Sequence, residues 1–283
     1  MQMHSPKEII DINMSGAVNK ANLRLSKMMV LGILAGMFIA LGGVTSQSAS
    51  HAILNVSIAK LAAGAVFPIG LLMIVLVGGE LFTGNCLMIM ATMDKQIRFK
   101  RFMRNLIGVF FANIIGALFI AILVFFSGNL DMSGGALGGY AINVAVEKVS
   151  HTVVRGIASG FLCNLFVCMA VLKGAAAKEV AGKIQATWFP IFAFVICGFE
   201  HIVANMYFIP IGLMAKTNPL YVEQAEAIYG VTAEKLATLT YANMWGNFIP
   251  VTIGNILGGV FIGILLYFVN VHADKMPESK HNL

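Results

Sequence analysis

Charged side chains are scarce in this sequence: Asp, Glu, Lys and Arg together make up 11% of its 283 residues. A soluble domain carries about 25% of them, so a soluble globular fold is excluded. Hydrophobic residues make up 58% of the chain, and the mean hydropathy is +0.83. This composition predicts a protein that crosses a membrane several times.

Cysteine is also scarce, and its placement argues against metal and disulfide chemistry. All four cysteines lie inside apolar runs, without the spacing of a metal site or a disulfide framework. We therefore expect no metal and no cofactor, and nothing in the sequence suggests nucleic-acid binding. The four are Cys86, Cys163, Cys168 and Cys197.

Six apolar runs are each long enough to cross a bilayer, which takes about 20 residues. We predict an all-α polytopic membrane protein with six transmembrane helices. The second and fifth runs are longer than one crossing needs, which predicts broken or strongly tilted helices there. The runs lie at 28–50, 60–92, 105–127, 153–172, 186–214 and 242–271.

The basic residues predict the orientation of the chain in the lipid bilayer. Of the 19 lysines and arginines, five fall on the side opposite to the N-terminus, so the positive-inside rule places both termini in the cytoplasm. We expect an N-terminal segment (1–27), a single transmembrane domain (28–271) and a cytoplasmic tail (272–283). The five basic residues of the outer side are Lys60, Lys148, Arg155, Lys216 and Lys235.

The N-terminal segment predicts an amphipathic helix. Ser5 is a suitable N-cap, Pro6 follows at the first helical position, and Glu8 completes a capping box. Apolar residues then recur at helical spacing between Ile10 and Ala21. Two interpretations stay open, an anchor at the membrane surface and a movable plug below a pore.

An internal repeat relates the first three spans to the last three. Each repeat (28–128 and 153–271) has three spans, an odd number, so the two copies must be inverted in the membrane. Inverted repeats with a broken helix in each half place a transport site near the midplane. The matching pairs are 32–36 with 156–160, 78–85 with 198–205, and 113–116 with 255–258, at offsets of 124, 120 and 142.

Both predicted breaks carry a glutamate that follows a glycine by two residues and precedes an asparagine by five. N–H groups at the start of a half-helix favour an anion, and an exposed carboxylate would repel it. We therefore interpret Glu80 and Glu200, with Asn85 and Asn205, as structural residues. The carboxylates are expected to accept hydrogen bonds from backbone N–H groups that each break frees.

His201 is the only histidine inside a span and is the main candidate for chemistry. Imidazole titrates near about pH 6.5, so we predict that His201 passes a proton to an entering weak-acid anion. Thr83 can offer its hydroxyl to the same anion, and Lys148 is either a solvated loop charge or attracts anions to the mouth. Large apolar residues beside the breaks can form dewetted constrictions; they are Phe67, Leu71, Phe82 and Phe194.

Three stretches resemble signatures of the formate/nitrite transporter family: GELFT at 79–83, GFEHIVANM at 198–206 and PVTIGN at 250–255. The similarity covers the chain from about residue 21 to residue 271 and is greatest to the hydrosulfide-channel branch. It implies an aquaporin-like fold, a homopentamer with one pore per protomer, and a prokaryotic inner membrane. The positions that match the family's site are Leu71, Phe82, Val167 and Phe194 as apolar constrictions, Thr83 and His201 as the central polar pair, Asn164 as a pore-lining amide and Lys148 in the vestibule.

The resemblance implies a passive or proton-coupled channel for small monovalent weak-acid anions, with hydrosulfide favoured and formate or nitrite as alternatives. A membrane enzyme that uses Glu200 and His201 is less favoured, because adjacent residues on a helix point about 100° apart. A metal-ion transporter would need clustered carboxylates or thiolates.

Overall fold

The computed structural model describes residues 3–272, and this part of the chain is helical. Within it, the only β pairing is one isolated bridge between Met3 and Ala177. Six helical segments of the described range are long and apolar enough to cross a membrane, which confirms the predicted number. The predicted tail (272–283) lies, from residue 273 onward, outside the described residues.

The first half of the chain forms one amphipathic helix and three spans. The second span is kinked at Pro68, and α4, the second part of that span, contains a 3-10 turn at Cys86–Met88. The helices are α1 (Pro6–Ala21), α2 (Leu25–Ser50), α3 (Val56–Val77), α4 (Phe82–Met93) and α5 (Phe99–Phe126).

The second half follows the same order, with two extra helices before its last span. The helices are α6 (Ala136–Val149), α7 (Val153–Ala176), α8 (Val180–Cys197), α9 (Ile202–Ala215), α10 (Pro219–Tyr229), α11 (Ala233–Thr238) and α12 (Tyr241–Tyr267). A 3-10 turn at Asn129–Asp131 joins the two halves, and a π turn at Phe268–His272 follows α12.

The second and fifth spans are broken, as predicted. Four residues separate α3 from α4, and four separate α8 from α9. Each gap begins with a glycine at positive φ, 107° at Gly78 and 69° at Gly198. Residues with a Cβ rarely adopt this conformation, so these glycines allow the chain to leave one half-helix and begin the next.

The helix α1 begins with the predicted capping box. The Glu8 N–H donates to Ser5 Oγ at 3.3 Å, and the Ser5 N–H donates to Glu8 Oε2 at 2.6 Å. Its apolar face, including Ile10 and Met14, is buried against α4, α5 and α7. The helix is therefore packed on the transmembrane helices through this face.

The helix crossings correct the predicted register of the repeat. A Cβ on Gly116 of α5 would overlap the carbonyl oxygen of Ile33 in α2, and a Cβ on Gly258 of α12 would overlap that of Phe161 in α7. Ile33 and Phe161 are 128 residues apart, so the predicted offset of 124 between the first and fourth spans is wrong. The error is four residues, about one helical turn. Both spans have two glycines four residues apart, so the pattern still matches partly when one span is shifted by four.

Candidate functional site

An asparagine from α5 holds the first break. Asn113 Oδ1 accepts a hydrogen bond from the Phe82 N–H at 3.0 Å. Its Nδ2 donates to the carbonyl oxygens of Gly32 at 2.7 Å and Glu80 at 2.9 Å. One amide thus satisfies a carbonyl inside the gap, the first N–H of α4 and a carbonyl of α2, and the two groups at the gap would otherwise be unpaired in an apolar environment.

Asn255 of α12 holds the second break in the same way. Its Oδ1 accepts from the Ile202 N–H at 2.9 Å. Its Nδ2 donates to the carbonyl oxygens of Gly160 at 2.7 Å and Glu200 at 3.0 Å. The Asn113 and Asn255 side chains are both fully buried, so their role is to fix the two gaps.

The two glutamates do not bond the freed backbone N–H groups, contrary to the prediction. Glu80 Oε2 accepts from the side chains of Asn85 at 2.6 Å and Asn105 at 3.4 Å. Glu200 Oε2 accepts from Asn205 at 2.7 Å and Asn247 at 3.5 Å. A buried carboxylate needs a charged partner and hydrogen bonds. The backbone groups at the two breaks are instead bonded by the neutral amides of Asn113 and Asn255.

A lysine supplies the charged partner at each break. Lys148 Nζ lies 2.8 Å from Glu200 Oε1, and its side chain is 15% exposed. It belongs to α6, so the expectation of a solvated loop charge is wrong. At the first break, Lys20 Nζ lies 3.6 Å from Glu80 Oε1 and donates to Asn85 Oδ1 at 2.6 Å.

A small cavity lies between the two breaks. The space open to the centre of a water-sized sphere is about 10 Å³, the lower limit for a single water molecule. His201 is the one polar residue of its lining. The lining consists of Ile39, Phe67, Leu71, Leu81, Val167, Ile191, Phe194 and His201.

The repeat relates six of the eight lining residues in pairs. At an offset of 120, Leu71 corresponds to Ile191 and Leu81 to His201; at 128, Ile39 corresponds to Val167. His201 therefore occupies the position that an apolar leucine occupies at the other break. The polarity of the cavity rests on this one difference.

Four of the five predicted constriction residues line this cavity, and Phe82 does not. The Phe82 ring packs against Phe110, with ring centroids 5.1 Å apart in an edge-to-face arrangement. Leu81 takes the lining position instead. Neighbouring residues at the start of a helix point in different directions, and the resemblance alone did not distinguish them.

His201 and Thr83 meet at the centre, as their family positions imply. His201 Nε2 lies 2.9 Å from Thr83 Oγ1, and Nδ1 accepts from the Ala204 N–H at 3.3 Å as the N-cap of α9. Nδ1 therefore carries no proton, and the neutral ring donates from Nε2. Protonation would break this cap and place a cation at the positive end of a helix.

Asn164 does not line the cavity. It is fully buried, and its Nδ2 donates to the carbonyl oxygens of Thr83 at 3.2 Å and Asn255 at 2.6 Å. The side chain ties the backbone beside Thr83 to α12. Asn164 therefore helps to position Thr83, and through it the Thr83–His201 pair, without lining the cavity itself.

A larger cavity, here called the Lys148 vestibule, opens beyond Phe67 and Phe194. These two rings meet edge to face with centroids 5.8 Å apart, and they line both cavities. The vestibule offers about 230 Å³ to the centre of a water-sized sphere. It brings together Lys60, Lys148 and Arg155, three of the five basic residues predicted for the outer side, beside Glu147 and Glu200.

The sequence interpretation missed several residues of the site. Asn105 and Asn247 differ by 142, the offset already recognised for Asn113 and Asn255, so this signal was available. Lys20 could not be recognised in this way. It corresponds to Lys148 at an offset of 128, whereas the sequence comparison used an offset of 124 for the first span. The other missed residues are the lining positions Ile39, Leu81 and Ile191.

Inverted repeats, broken helices and a narrow passage between them define an integral membrane protein with a central pathway. A family model described as formate/nitrite transporter matches residues 7–269. The chain belongs to the formate/nitrite transporter family.

Individual relatives cover nearly the whole chain. The formate channel FocA of Haemophilus influenzae is 38% identical over 276 residues, 95% of each protein. The uncharacterized transporter YrhG of Bacillus subtilis is 36% identical over 287 residues, 99% of this chain and 98% of its own. A solved pentameric formate channel with formate bound has a TM-score of 0.78 at 32% identity, covering 87% of this chain and 97% of its own. None of these names mentions hydrosulfide, so the expected preference for it gains no support.

Proposed function

We propose that this chain is a channel for formate and similar small weak-acid anions in a prokaryotic cytoplasmic membrane. Both termini face the cytoplasm, as the distribution of lysine and arginine indicates. The chain assembles as a homopentamer with one pore per protomer. Support for the substrate and the assembly comes from the relatives named as formate channels and from the pentameric structural neighbour.

The observation that carries this proposal is an apolar cavity with one polar residue beside a basic vestibule. The cavity has room for about one water molecule, so an ion cannot bring its hydration shell. A bare anion in such surroundings costs several kcal/mol. The passage therefore favours a small substrate that sheds its charge before it enters.

The proton comes from water in the Lys148 vestibule. His201 is held neutral, with its Nδ1 lone pair already accepting from the Ala204 N–H, so it stores no proton for the anion. Lys148 and Arg155 raise the local concentration of anions. The anion takes a proton from vestibule water, hydroxide stays behind, and anion and proton cross together as the neutral acid.

His201 and Thr83 assist the acid inside the cavity. Their hydrogen bond of 2.9 Å holds the His201 ring, the one polar group of the cavity lining, against the fully buried Thr83 hydroxyl. A neutral acid that reaches His201 loses a hydrogen bond to vestibule water and gains one to the protein. The cost of entering the apolar segment is lowered without a fixed charge.

The geometry does not favour the rival functions. The Glu200 carboxylate faces Lys148 and Asn205, whereas the His201 ring faces Thr83, so the two do not converge on one substrate as an enzyme would require. In residues 3–272 no group of three or more His, Cys, Asp or Glu side chains could hold a metal ion. Transport of a small weak acid remains the function with direct support in the lining.

Flux into liposomes tests the proposal. Purified protein is reconstituted, formate, nitrite and hydrosulfide are added separately, and a trapped dye follows the internal pH. We expect rapid formate entry with acidification of the interior, because the neutral acid dissociates there. Formate entry without acidification would contradict the neutral-acid pathway. Absence of formate flux beside rapid hydrosulfide flux would favour the hydrosulfide channel instead.

A further inference from the structure

Gln47 carries a buried amide that the rest of the site leaves unexplained. It lies on α2 in the wall of the Lys148 vestibule, and the residue is 3% exposed. Within the described part of the chain, neither its Nε2 nor its Oε1 has a hydrogen-bond partner. A buried amide without partners costs about 1–3 kcal/mol, so this side chain is suited to bonding what the vestibule contains.

Gln47 lies in the vestibule that adjoins the central cavity. Ile39 and Gln47 are eight residues apart on α2, which puts them on the same face and about 12 Å apart along the axis. Ile39 lines the central cavity and Gln47 the vestibule, with the Phe67–Phe194 pair lining both. A solute that moves toward the cavity therefore passes Gln47 before the aromatic pair.

The repeat does not require a polar residue at this position. At the offset of 128 that relates α2 to α7, Gln47 corresponds to Ala175. A neighbouring hydroxyl in the vestibule wall, that of Ser50, already donates to the Ser46 carbonyl at 2.8 Å. Gln47 thus differs from its counterpart and from its neighbour in having two buried polar atoms without a hydrogen-bond partner in residues 3–272; a change of its rotamer would turn them toward the vestibule that its side chain lines.

We propose that Gln47 is a specificity-determining residue that selects weak acids with two oxygens on one atom, such as formic and nitrous acid. An amide offers a donor and an acceptor side by side. The neutral acid has the complementary pair, an O–H and a double-bonded oxygen, so the two groups can form two hydrogen bonds in one ring. Hydrosulfide and its acid have a single sulfur atom, which cannot engage both ends of the amide.

This inference rests on the proposed function and makes its substrate class more specific. Lys148 and Arg155 attract any small anion because charge attraction does not depend on shape. Gln47 adds a geometric requirement at the point where the substrate becomes neutral. It therefore changes the ratio between substrates, whereas the basic residues change the rate for all of them.

The test compares formate and hydrosulfide flux in liposomes for the full chain and three variants. Gln47→Leu removes both hydrogen-bonding atoms at similar volume, and Gln47→Glu replaces the donor by a carboxylate oxygen. Ser50→Ala is the matched control in the same wall. We expect the formate-to-hydrosulfide ratio to fall about three- to tenfold in Gln47→Leu, the size of one or two neutral hydrogen bonds. Gln47→Glu should lower it as well, and Ser50→Ala should leave it unchanged.

The outcomes separate this inference from the proposed function. Normal formate flux in the wild type with an unchanged ratio in Gln47→Leu overturns the role of Gln47 alone. An equal fall of both fluxes in Gln47→Leu also overturns it, because a purely structural residue would act in that way. Absence of formate flux in the wild type overturns the proposed function and this inference with it.

Discussion

Lys20 and Lys148 hold corresponding positions at the two helix breaks, 128 residues apart. The Lys20 carbonyl accepts from Asn105 Nδ2 at 3.5 Å, and the Lys148 carbonyl accepts from Asn247 Nδ2 at 2.8 Å. Each ammonium approaches the glutamate of its own break. The helices α1 and α6 that carry them thus correspond as well, so each repeat begins before the boundaries of 28 and 153 drawn from the sequence.

The two lysines should differ in how much they matter. Lys148 is 15% exposed and hydrogen-bonds Glu200 at 2.8 Å, whereas Lys20 is 33% exposed, hydrogen-bonds Asn85 and lies farther from its glutamate, at 3.6 Å from Glu80 Oε1. We expect Lys148→Met to destabilise the fold by about 3 kcal/mol or more, because it leaves a buried carboxylate without its partner. Lys20→Met should have a smaller effect. Thermal unfolding in detergent measures both.

A paired variant provides the control for Lys148. Lys148→Met combined with Glu200→Gln removes both charges, and Gln keeps the size and shape of the Glu200 side chain. Most of the stability lost in Lys148→Met should therefore return. A double variant as unstable as Lys148→Met alone would show that packing of the lysine stem, and not the ion pair, holds the break.

Replacing His201 should lower the rate and leave the pH dependence. Asn is a good N-cap, so His201→Asn keeps the start of α9 but loses the Nε2–H that meets Thr83. Formate flux should fall by about tenfold or less, the value of one hydrogen bond. Flux measured at several pH values should still rise as the pH falls. If that rise disappears while the protein stays folded, the proton passes through the imidazole, as the sequence first indicated.

Removing the Phe194 ring should relax the size limit. Phe194 lines the cavity and is 3% exposed, so Phe194→Ala opens the contact with Phe67. Uptake of a two-carbon acid such as acetate should rise about tenfold or more relative to formate. The control is Phe189→Ala on the same helix, where the side chain is 60% exposed and lies outside the cavity lining. Equal acetate uptake in the two variants would mean that Phe194 only packs.

His151 should make the fold less stable in mild acid. Desolvation lowers the pKa of His151, with Arg155 and Lys148 acting in the same direction and Glu200 opposing them. The unfolded chain binds this proton near about pH 6.5, whereas the folded chain binds it only at lower pH. The unfolded state therefore holds more protons between these values, and stability falls as the pH decreases through them.

The measurement for His151 is the unfolding temperature in detergent between pH 7.5 and pH 5. His151→Gln should show a shallower loss of stability than the wild type as the pH falls. Parallel curves for His151→Gln and wild type would exclude a contribution from His151.

Sequence patterns predicted the fold well because the fold depends on features that are local in the sequence. A span needs about 20 apolar residues, and a break needs a residue such as Gly78 or Gly198 that tolerates positive φ. These requirements are local and visible in the chain. The number of spans and the two broken helices are confirmed on that basis.

The site was harder to predict because its contacts join distant helices. Asn113 and Asn105 lie on one face of α5, and Asn113 bonds the backbone of the break whereas Asn105 bonds the Glu80 carboxylate. This difference depends on where each residue meets the break. Whether Leu81 or Phe82 lines the cavity depends on the direction of the first turn of α4. No spacing rule contains either fact, since both depend on three-dimensional packing.

The correspondence between the two ends of the passage has a consequence for transport direction. Leu71 mirrors Ile191 and Ile39 mirrors Val167, and each end has its own lysine, glutamate and asparagines. Gln47 and His201 have no polar counterparts in the other half, but the shared ion pairs and apolar lining give the passage no feature that would let a solute cross in one direction only. Net movement then follows the difference in acid concentration across the bilayer, and the same protein empties or fills a compartment when that difference changes sign.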